Sequence, residues 1–246
     1  MRMVFNWFKL RSRAYLLIIC VGLVLLIISE AKASNKIFNE SRKTIVIDPG
    51  HGGHDTGTQG PNGTFEKTAA LNLTRIIATE LENRYQIFFT RTDDYLLDIY
   101  SRTALANQVG ADLFISIHTG GSYLHNASGI TIFYYKRKSE SMLPTQIITT
   151  KNYTTWDYVQ VKHIEKSSIL SKLIQNRILE QVMSLDCKIK SAPLLVLKGA
   201  DMPAILIEIG YLTNPVEEKK LNDPNILSNL AKAISKGIND FFYNKQ

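Results

Sequence analysis

Four polar side chains stand where an α/β chain collects reacting groups. His51 follows the apolar run Thr44-Ile-Val-Ile-Asp48, within Asp48-Pro-Gly-His-Gly-Gly53. His118 ends Ala111-Asp-Leu-Phe-Ile-Ser-Ile-His118, and Glu208 sits inside Ala204-Ile-Leu-Ile-Glu-Ile-Gly210. Glu66 precedes an amphipathic stretch, in Thr64-Phe-Glu-Lys-Thr68. In open α/β sheets ligands gather beyond the carboxyl ends of the strands. Two imidazoles and one carboxylate, with the fourth position left to water, are the ligand set of a hydrolytic zinc site. A second carboxylate that is not a ligand can then take the proton from that water, whose pKa zinc brings towards ~7. Spacing alone leaves open which carboxylate has which task, and a lone His at a strand end is more often structural. Glu208 is more informative, because a carboxylate buried in an apolar run without a partner is costly.

The elements that must position these groups follow from the hydrophobic pattern. Short apolar runs at 44–48, 85–90, 111–118, 129–135, 194–197 and 204–209 predict strands. Helical stripes predict helices at 67–83 (Leu73, Ile76, Ile77, Leu81), 100–109, 168–185 (Leu170, Leu173, Ile174, Ile178, Val182, Leu185) and 225–243 (Ile226, Leu230, Ile234, Ile238, Phe241). Strands alternating with helices predict an α/β fold: a single three-layer domain over 43–246, its mostly parallel twisted sheet flanked by helices. The glycines around His51 allow the tight turns that would bring its ring to a metal. Segment 136–166 breaks the alternation. It is polar, basic and aperiodic, yet holds Tyr153, Trp156 and Tyr158, and reads as an insertion.

Composition narrows the function. Of 246 residues, 45% are hydrophobic and 21% charged, ordinary globular usage. The net charge of +7 comes from residues 1–33 and from 136–166; the rest of the chain carries equal numbers of acidic and basic residues. No basic face is left to bind nucleic acid. Two cysteines in unlike contexts, Cys20 and Cys187, exclude a disulfide scaffold. The first 13 residues are basic, Ala14–Ile28 is an uncharged apolar run, and Ala31 and Ala33 flank Lys32 in a small-x-small pattern. This order predicts a secretory signal over 1–33, with an uncleaved membrane anchor as the alternative, and 34–42 as a linker. The working chain is therefore expected to be periplasmic or secreted. Bulky Ile19 ahead of Cys20 does not suit a lipidated cysteine, and Cys187 reads as a small buried hydrophobe.

Taken together, Ile45-Val-Ile-Asp-Pro-Gly-His-Gly-Gly-His-Asp-Thr-Gly57, Glu66-Lys67, Thr90-Arg-Thr-Asp93, Ser101-Arg-Thr-Ala-Leu-Ala-Asn107, Ala111–His118 and Met202–Pro215 strongly resemble the zinc-dependent N-acetylmuramoyl-L-alanine amidases, periplasmic enzymes that cut peptidoglycan during daughter-cell separation. The resemblance spans 43–240. It implies one Zn²⁺ held by His51, Glu66 and His118, with Glu208 as the catalytic carboxylate. The reaction it implies is hydrolysis of the amide between N-acetylmuramic acid and the L-alanine of the stem peptide. The partner would be peptidoglycan, and a protein activator could act on 136–166, where activator-dependent family members carry a blocking helix. Glu165 is the acidic residue of that segment expected to approach the metal as part of a lid.

One departure stands next to a ligand: Thr119-Gly120-Gly121 follows His118, where the family usually has Ala followed by Asn or Asp. It motivates a second reading, a non-catalytic peptidoglycan-binding protein on an amidase fold; a third keeps the zinc and moves the cut within the stem peptide. Asp55 is expected to orient a ligand histidine. Lys67 is expected either to face an anionic substrate group or to be solvated beside the site. Arg91 and Asp93 read as an ion pair supporting a loop, Arg102 and Asn107 as ties from a helix to neighbouring backbone. His54, His125 and His163 read as exposed loop residues.

Overall fold

The computed structural model describes residues 42–137, 156–182 and 186–243, with 21, 22, 24 and 25. The chain divides into two units, Met1–Arg42 and Lys43–Gln246. In the first, residues 21, 22, 24 and 25 are helical and exposed, and Arg42 at its end is half-buried; the rest of the expected signal, with its cleavage after Ala33, lies outside the described residues. Among the described residues no helix is long and apolar enough to cross a membrane.

The second unit is built on a six-stranded sheet. Its strands are β1 (Thr44–Pro49), β2 (Gln86–Phe89), β3 (Leu113–Gly120), β4 (Ile130–Tyr135), β5 (Cys187–Ala192) and β6 (Ala204–Tyr211), in the order β2-β1-β3-β6-β4-β5. β2, β1, β3 and β6 are mutually parallel; β4 runs antiparallel to β6, and β5 parallel to β4. The central strands are covered on both faces, which is why β1, β3 and β6 read as unbroken apolar runs rather than as alternations.

Helices α1 (Glu66–Leu81), α3 (Ile164–Gln181) and α6 (Pro224–Tyr243) cover one face. There Leu73, Ile77, Leu170, Ile174, Leu230 and Ile234 pack on Ile45, Ile47, Ile115 and Ile205. Helix α2 (Ile99–Gln108) and the single turn α4 (Leu195–Lys198) lie on the other, where Ala106, Val196 and Leu197 meet Val46, Phe114 and Leu206. A short helix α5 (Pro215–Leu221) follows β6, capped by the Asn214 side chain, which accepts from the Val216 amide at 2.9 Å. The architecture is the expected three-layer α/β domain.

Three local expectations are corrected. Leu194–Leu197 is not a strand; its apolar residues close one helical turn, α4. The last partner of the sheet is instead β5, Cys-Lys-Ile-Lys-Ser-Ala, an edge strand whose lysines break the apolar pattern. Segment 136–166 is structured at its described end: a 3₁₀ stretch, Trp156–His163, leads directly into α3, and the buried Gln160 amide donates to the carbonyls of Ala200 (2.8 Å) and Met202 (2.7 Å).

Cys187 begins β5 on the main-core face with 4% exposure, and burial, followed by the nearby Asp186 charge, pushes its thiol up to about 12. Thiolate is the reactive form. In a Cys20→Ser variant, Cys187 is expected to stay unlabelled by a disulfide-exchange reagent at pH 8 until denaturant unfolds the domain. Prompt labelling of the native protein would contradict this placement.

Candidate metal centre

The centre is assembled on a frame of buried arginines. Asp48, fully buried near the end of β1, accepts from Arg102 Nη1 (2.7 Å), Ser116 Oγ (2.6 Å) and Thr90 Oγ1 (2.5 Å). Arg102 also donates to the carbonyls of Pro49, His51 and Leu97, and Arg91 to those of Pro49, Gly50, Lys67 and Asp93. These bonds fix the backbone leaving β1. His51 is held there at φ 59°, the left-handed region, which a non-glycine residue adopts at a cost. The frame also revises one expectation: Arg91 meets the Asp93 carbonyl, not its carboxylate. Arg102 and Asn107 tie α2 to neighbouring backbone as expected, Asn107 bonding Gly199 O and the Asp201 amide.

Glu66, 3% exposed at the first turn of α1, is the point of convergence. Its Oε1 lies 3.1 Å from His51 Nε2 and 3.0 Å from His118 Nδ1, and accepts from the Thr119 amide at 2.9 Å. Its Oε2 accepts from the Thr58 amide at 2.9 Å. The two imidazoles stand edge to face with ring centroids 5.0 Å apart. Gly57, at φ 63°, passes so close that a methyl group there would stand 2.6 Å from the His51 ring and 2.7 Å from Glu66. Upstream, buried Glu218 on α5 pins the loop into α1, accepting from the amides of Asn62 (2.8 Å) and Thr64 (3.0 Å).

Burial alone would raise the Glu66 carboxyl, but hydrogen bonds and charge from His118 and His51 outweigh it and hold it far below the usual carboxylate range. Burial would lower His51, yet the carboxylates of Glu66 and Asp55 raise it. Glu208 lies directly across from His118 in the β3–β6 register. Neighbouring residues in register share a sheet face, so its carboxyl stands beside the imidazole. Burial raises it; His118 and Lys190 oppose that rise and Glu66 adds to it, leaving a carboxyl that keeps its proton more readily than usual.

The donor set fits a tetrahedral cation such as zinc. Metal–ligand bonds of ~2.0–2.1 Å place neighbouring ligands ~3.3–3.4 Å apart, close to the separations about Glu66. One ligand atom from each of His51, Glu66 and His118 lies within 4.8 Å of the others. Asp55 Oδ2 accepts from His51 Nδ1 at 2.8 Å, which leaves Nε2 to face the common point.

The other expected residues are placed as follows. Thr119 supports Glu66 through its amide. Lys67 donates to Gly53 O and Asp94 Oδ2, both at 2.7 Å, clamping the His51 loop. Glu165 is not brought to the centre. It is exposed in the first turn of α3, two residues before Ser167, whose Oγ accepts from the Ala204 amide at the start of β6, the opposite end of that strand from Glu208. His54 and His125 are exposed as expected; His163 is not, being packed against Asp201 at 3.1 Å. The Thr119-Gly120 departure has a local reason: the Tyr211 ring from β6 lies where a Cβ at 120 would stand, at 2.9 Å. Sequence reasoning missed the anchoring roles of Asp48, Thr58 and Glu218, although a buried Asp beside two arginines was a usable signal.

The sheet, the His51–Glu66–His118 cluster and the adjacent carboxyl together form a centre that could hold a metal ion at the carboxyl edge of an α/β domain. The Amidase_3 family model, N-acetylmuramoyl-L-alanine amidase, matches residues 45–240, and the chain belongs to this family. It is 28% identical over 223 residues to N-acetylmuramoyl-L-alanine amidase AmiA of Salmonella typhimurium, covering 82% of this chain and 77% of the relative. Among solved structures, an N-acetylmuramoyl-L-alanine amidase from Clostridium difficile superposes with a TM-score of 0.67 at 30% identity, covering 83% of this chain and 99% of that one. The CwlD amidase from Clostridioides difficile, solved in complex with the GerS lipoprotein, gives a TM-score of 0.66 at 26% identity, covering 82% and 100%. The family expected from the sequence motifs is met.

Removing one partner of a buried ion pair strands the other charge. Asp48→Ala is expected to lower unfolding free energy by about 3–5 kcal/mol in urea titrations. Asp55→Ala is expected to leave that value nearly unchanged while weakening zinc affinity roughly 10–100-fold in chelator competition. Equal effects of the two substitutions on stability would refute the separation of frame from centre.

Proposed function

We propose that the chain is a zinc enzyme hydrolysing the amide between N-acetylmuramic acid and the L-alanine of the peptidoglycan stem peptide. The observation that carries this reading is the meeting of His51, His118 and Glu66 Oε1 at one point with Glu208 alongside, in a chain of the amidase family. His51, Glu66 and His118 would hold the ion. When bound, zinc supplies Lewis-acid polarisation of the scissile carbonyl and acidifies water. Glu66, held as a carboxylate by its amide and imidazole neighbours, cannot itself carry a proton through the reaction. Glu208 can. It takes a proton from the attacking water and delivers it to the nitrogen of the departing L-alanine, whose bond to the lactyl carbonyl breaks. The Thr119-Gly120 departure leaves all four of these side chains in place, which weakens the reading as a mere wall-binding protein.

The leader supports an assignment outside the cytoplasm, in cell-wall remodelling and daughter-cell separation. A protein partner is supported by the solved pairing of the related CwlD with the GerS lipoprotein. The described ends of 136–166 lie near Ala192 and near Ala200–Met202. A partner held there would act from the far end of the sheet.

The purified protein is expected to release stem peptides with a free L-alanine amine from cell-wall sacculi. Chelation should stop release and zinc restore it. Glu208→Gln is expected to cut the rate roughly 10²–10⁴-fold at unchanged zinc content. Mass spectra showing cleavage within the peptide, or full activity of Glu208→Gln, would overturn this reading.

A further inference from the structure

The sheet face that carries His118 and Glu208 continues beyond them. Across the strands, His118 on β3 is level with Glu208 on β6, Glu208 with Thr131 on β4, and Thr131 with Lys188 on β5. One repeat towards the start of β6 the row runs Leu206, Phe133, Lys190. Residues level with one another, and residues two apart on one strand, point to the same face. Cys187 and Ile189 point the other way, into the main core, which leaves Lys188 and Lys190 on the face of the centre. Glu208 and Phe133 are half-buried here and Lys190 is exposed, while Thr131 and Leu206 in the same rows are buried.

The two lysines are not equivalent. Lys188 is paired with Asp186 at 2.9 Å. Lys190 has no carboxylate within ion-pair distance among the described residues; its ammonium lies 6.0 Å from the centre of the Phe133 ring. Phe133 is on β4, the strand between Lys190 and Glu208. With strands ~4.8 Å apart and ~6.7 Å per two residues, the backbone of Lys190, two strands across and one repeat along, is ~12 Å from that of Glu208, or between three and four extended residues.

From this geometry we infer that Lys190, beside Phe133, binds an acidic group on the peptide side of the scissile amide, within the first four residues after the new amine. The inference rests on the amidase reading, which places the departing amine at Glu208. The peptide then leaves across β6 towards β4 and β5, with Phe133 offering an apolar floor and Lys190 meeting a carboxylate. Lys190 is thus a specificity determinant that touches the peptide and takes no part in proton transfer. Its position on an exposed edge strand means that substitutions there leave the core intact.

The test compares two soluble muramoyl peptides, one with its peptide-side carboxylate free and one with that carboxylate amidated. For the wild type, KM should be lower for the free acid, and the difference should shrink with added salt. Lys190→Gln should raise KM for the free acid roughly two- to fivefold relative to any change on the amidated peptide. Lys190→Arg should restore the preference and Lys190→Glu invert it. The released free peptide, which needs no hydrolysis, gives the second readout: its equilibrium affinity should fall in Lys190→Gln only when its carboxylate is free. Equal KM for both substrates in an active wild type, or equal losses on both in Lys190→Gln, overturns the role of Lys190 while the amidase reading stands. Lys190-dependent binding of the acidic peptide by a protein that cleaves neither substrate would keep this inference and remove the amidase reading.

Discussion

The carboxylate of Glu66 is the interaction on which the centre depends. A charged group at 3% exposure is tolerable only if partners surround it, and the fold supplies four from distant parts of the chain: the donating amides of Thr58 and Thr119 and the ring nitrogens of His51 and His118. Each partner arrives by a different route. Thr58 comes from the loop before α1, Thr119 and His118 from the end of β3, and His51 from the turn after β1. α1 contributes its own end, where the helix dipole favours a negative group. The same convergence that satisfies Glu66 brings its Oε1 and two imidazole nitrogens to one point. In this molecule the condition for burying the charge and the condition for holding a cation are one geometry.

That geometry needs a rigid approach, and the Asp48–Arg102–Arg91 network provides it. Planar guanidinium groups can donate in several directions at once, and here they bind six successive or neighbouring carbonyls rather than a run of carboxylates. Such contacts hold backbone, not merely side chains, so they can maintain His51 at an unfavourable φ. Lys67 and Asp94 close the other side of the loop, meeting each other and the Gly53 backbone. Two of the three donors of the Lys67 ammonium are engaged in that clamp.

Much of this was legible in the sequence, for a physical reason. Doubly covered strands must be continuously apolar, so β1, β3 and β6 were visible, and with them the positions of His51, His118 and Glu208 at or near their ends. Singly covered edges are not so constrained: β5 alternates Cys-Lys-Ile-Lys and shows no apolar run, while the apolar Leu194–Leu197 has the pattern of a strand although it forms a helical turn. Short apolar runs do not distinguish the two. α5 carried a cap signal in Asn214-Pro215 and acidic residues in its first turn, but at seven residues it shows too little periodicity to be read. Glu165 was misplaced because strand direction is not written in local sequence. Once β4 runs antiparallel to β6, the chain leaving β4 at Tyr135 is delivered to the end of the sheet remote from the centre.

The same reversal shapes the substrate side. In a wholly parallel sheet the strands beyond β6 would present their carboxyl ends, and the loops following them, beside Glu208. Here β4 and β5 present their beginnings instead, and their first residues form a short two-sided surface: Ile130, Ile132, Cys187 and Ile189 turn inward, Thr131, Phe133, Lys188 and Lys190 outward. Strand alternation thus places cations beside a proton-holding carboxyl without a dedicated loop. Their spacing is set by the sheet itself. Lys188 is tied to Asp186, so one of the two cations is already neutralised, and the preference of this surface for acidic groups falls to the other. A recognition element built on backbone register cannot slide relative to the metal ligands, because β3, β6, β4 and β5 are joined by one continuous ladder from His118 to Lys190.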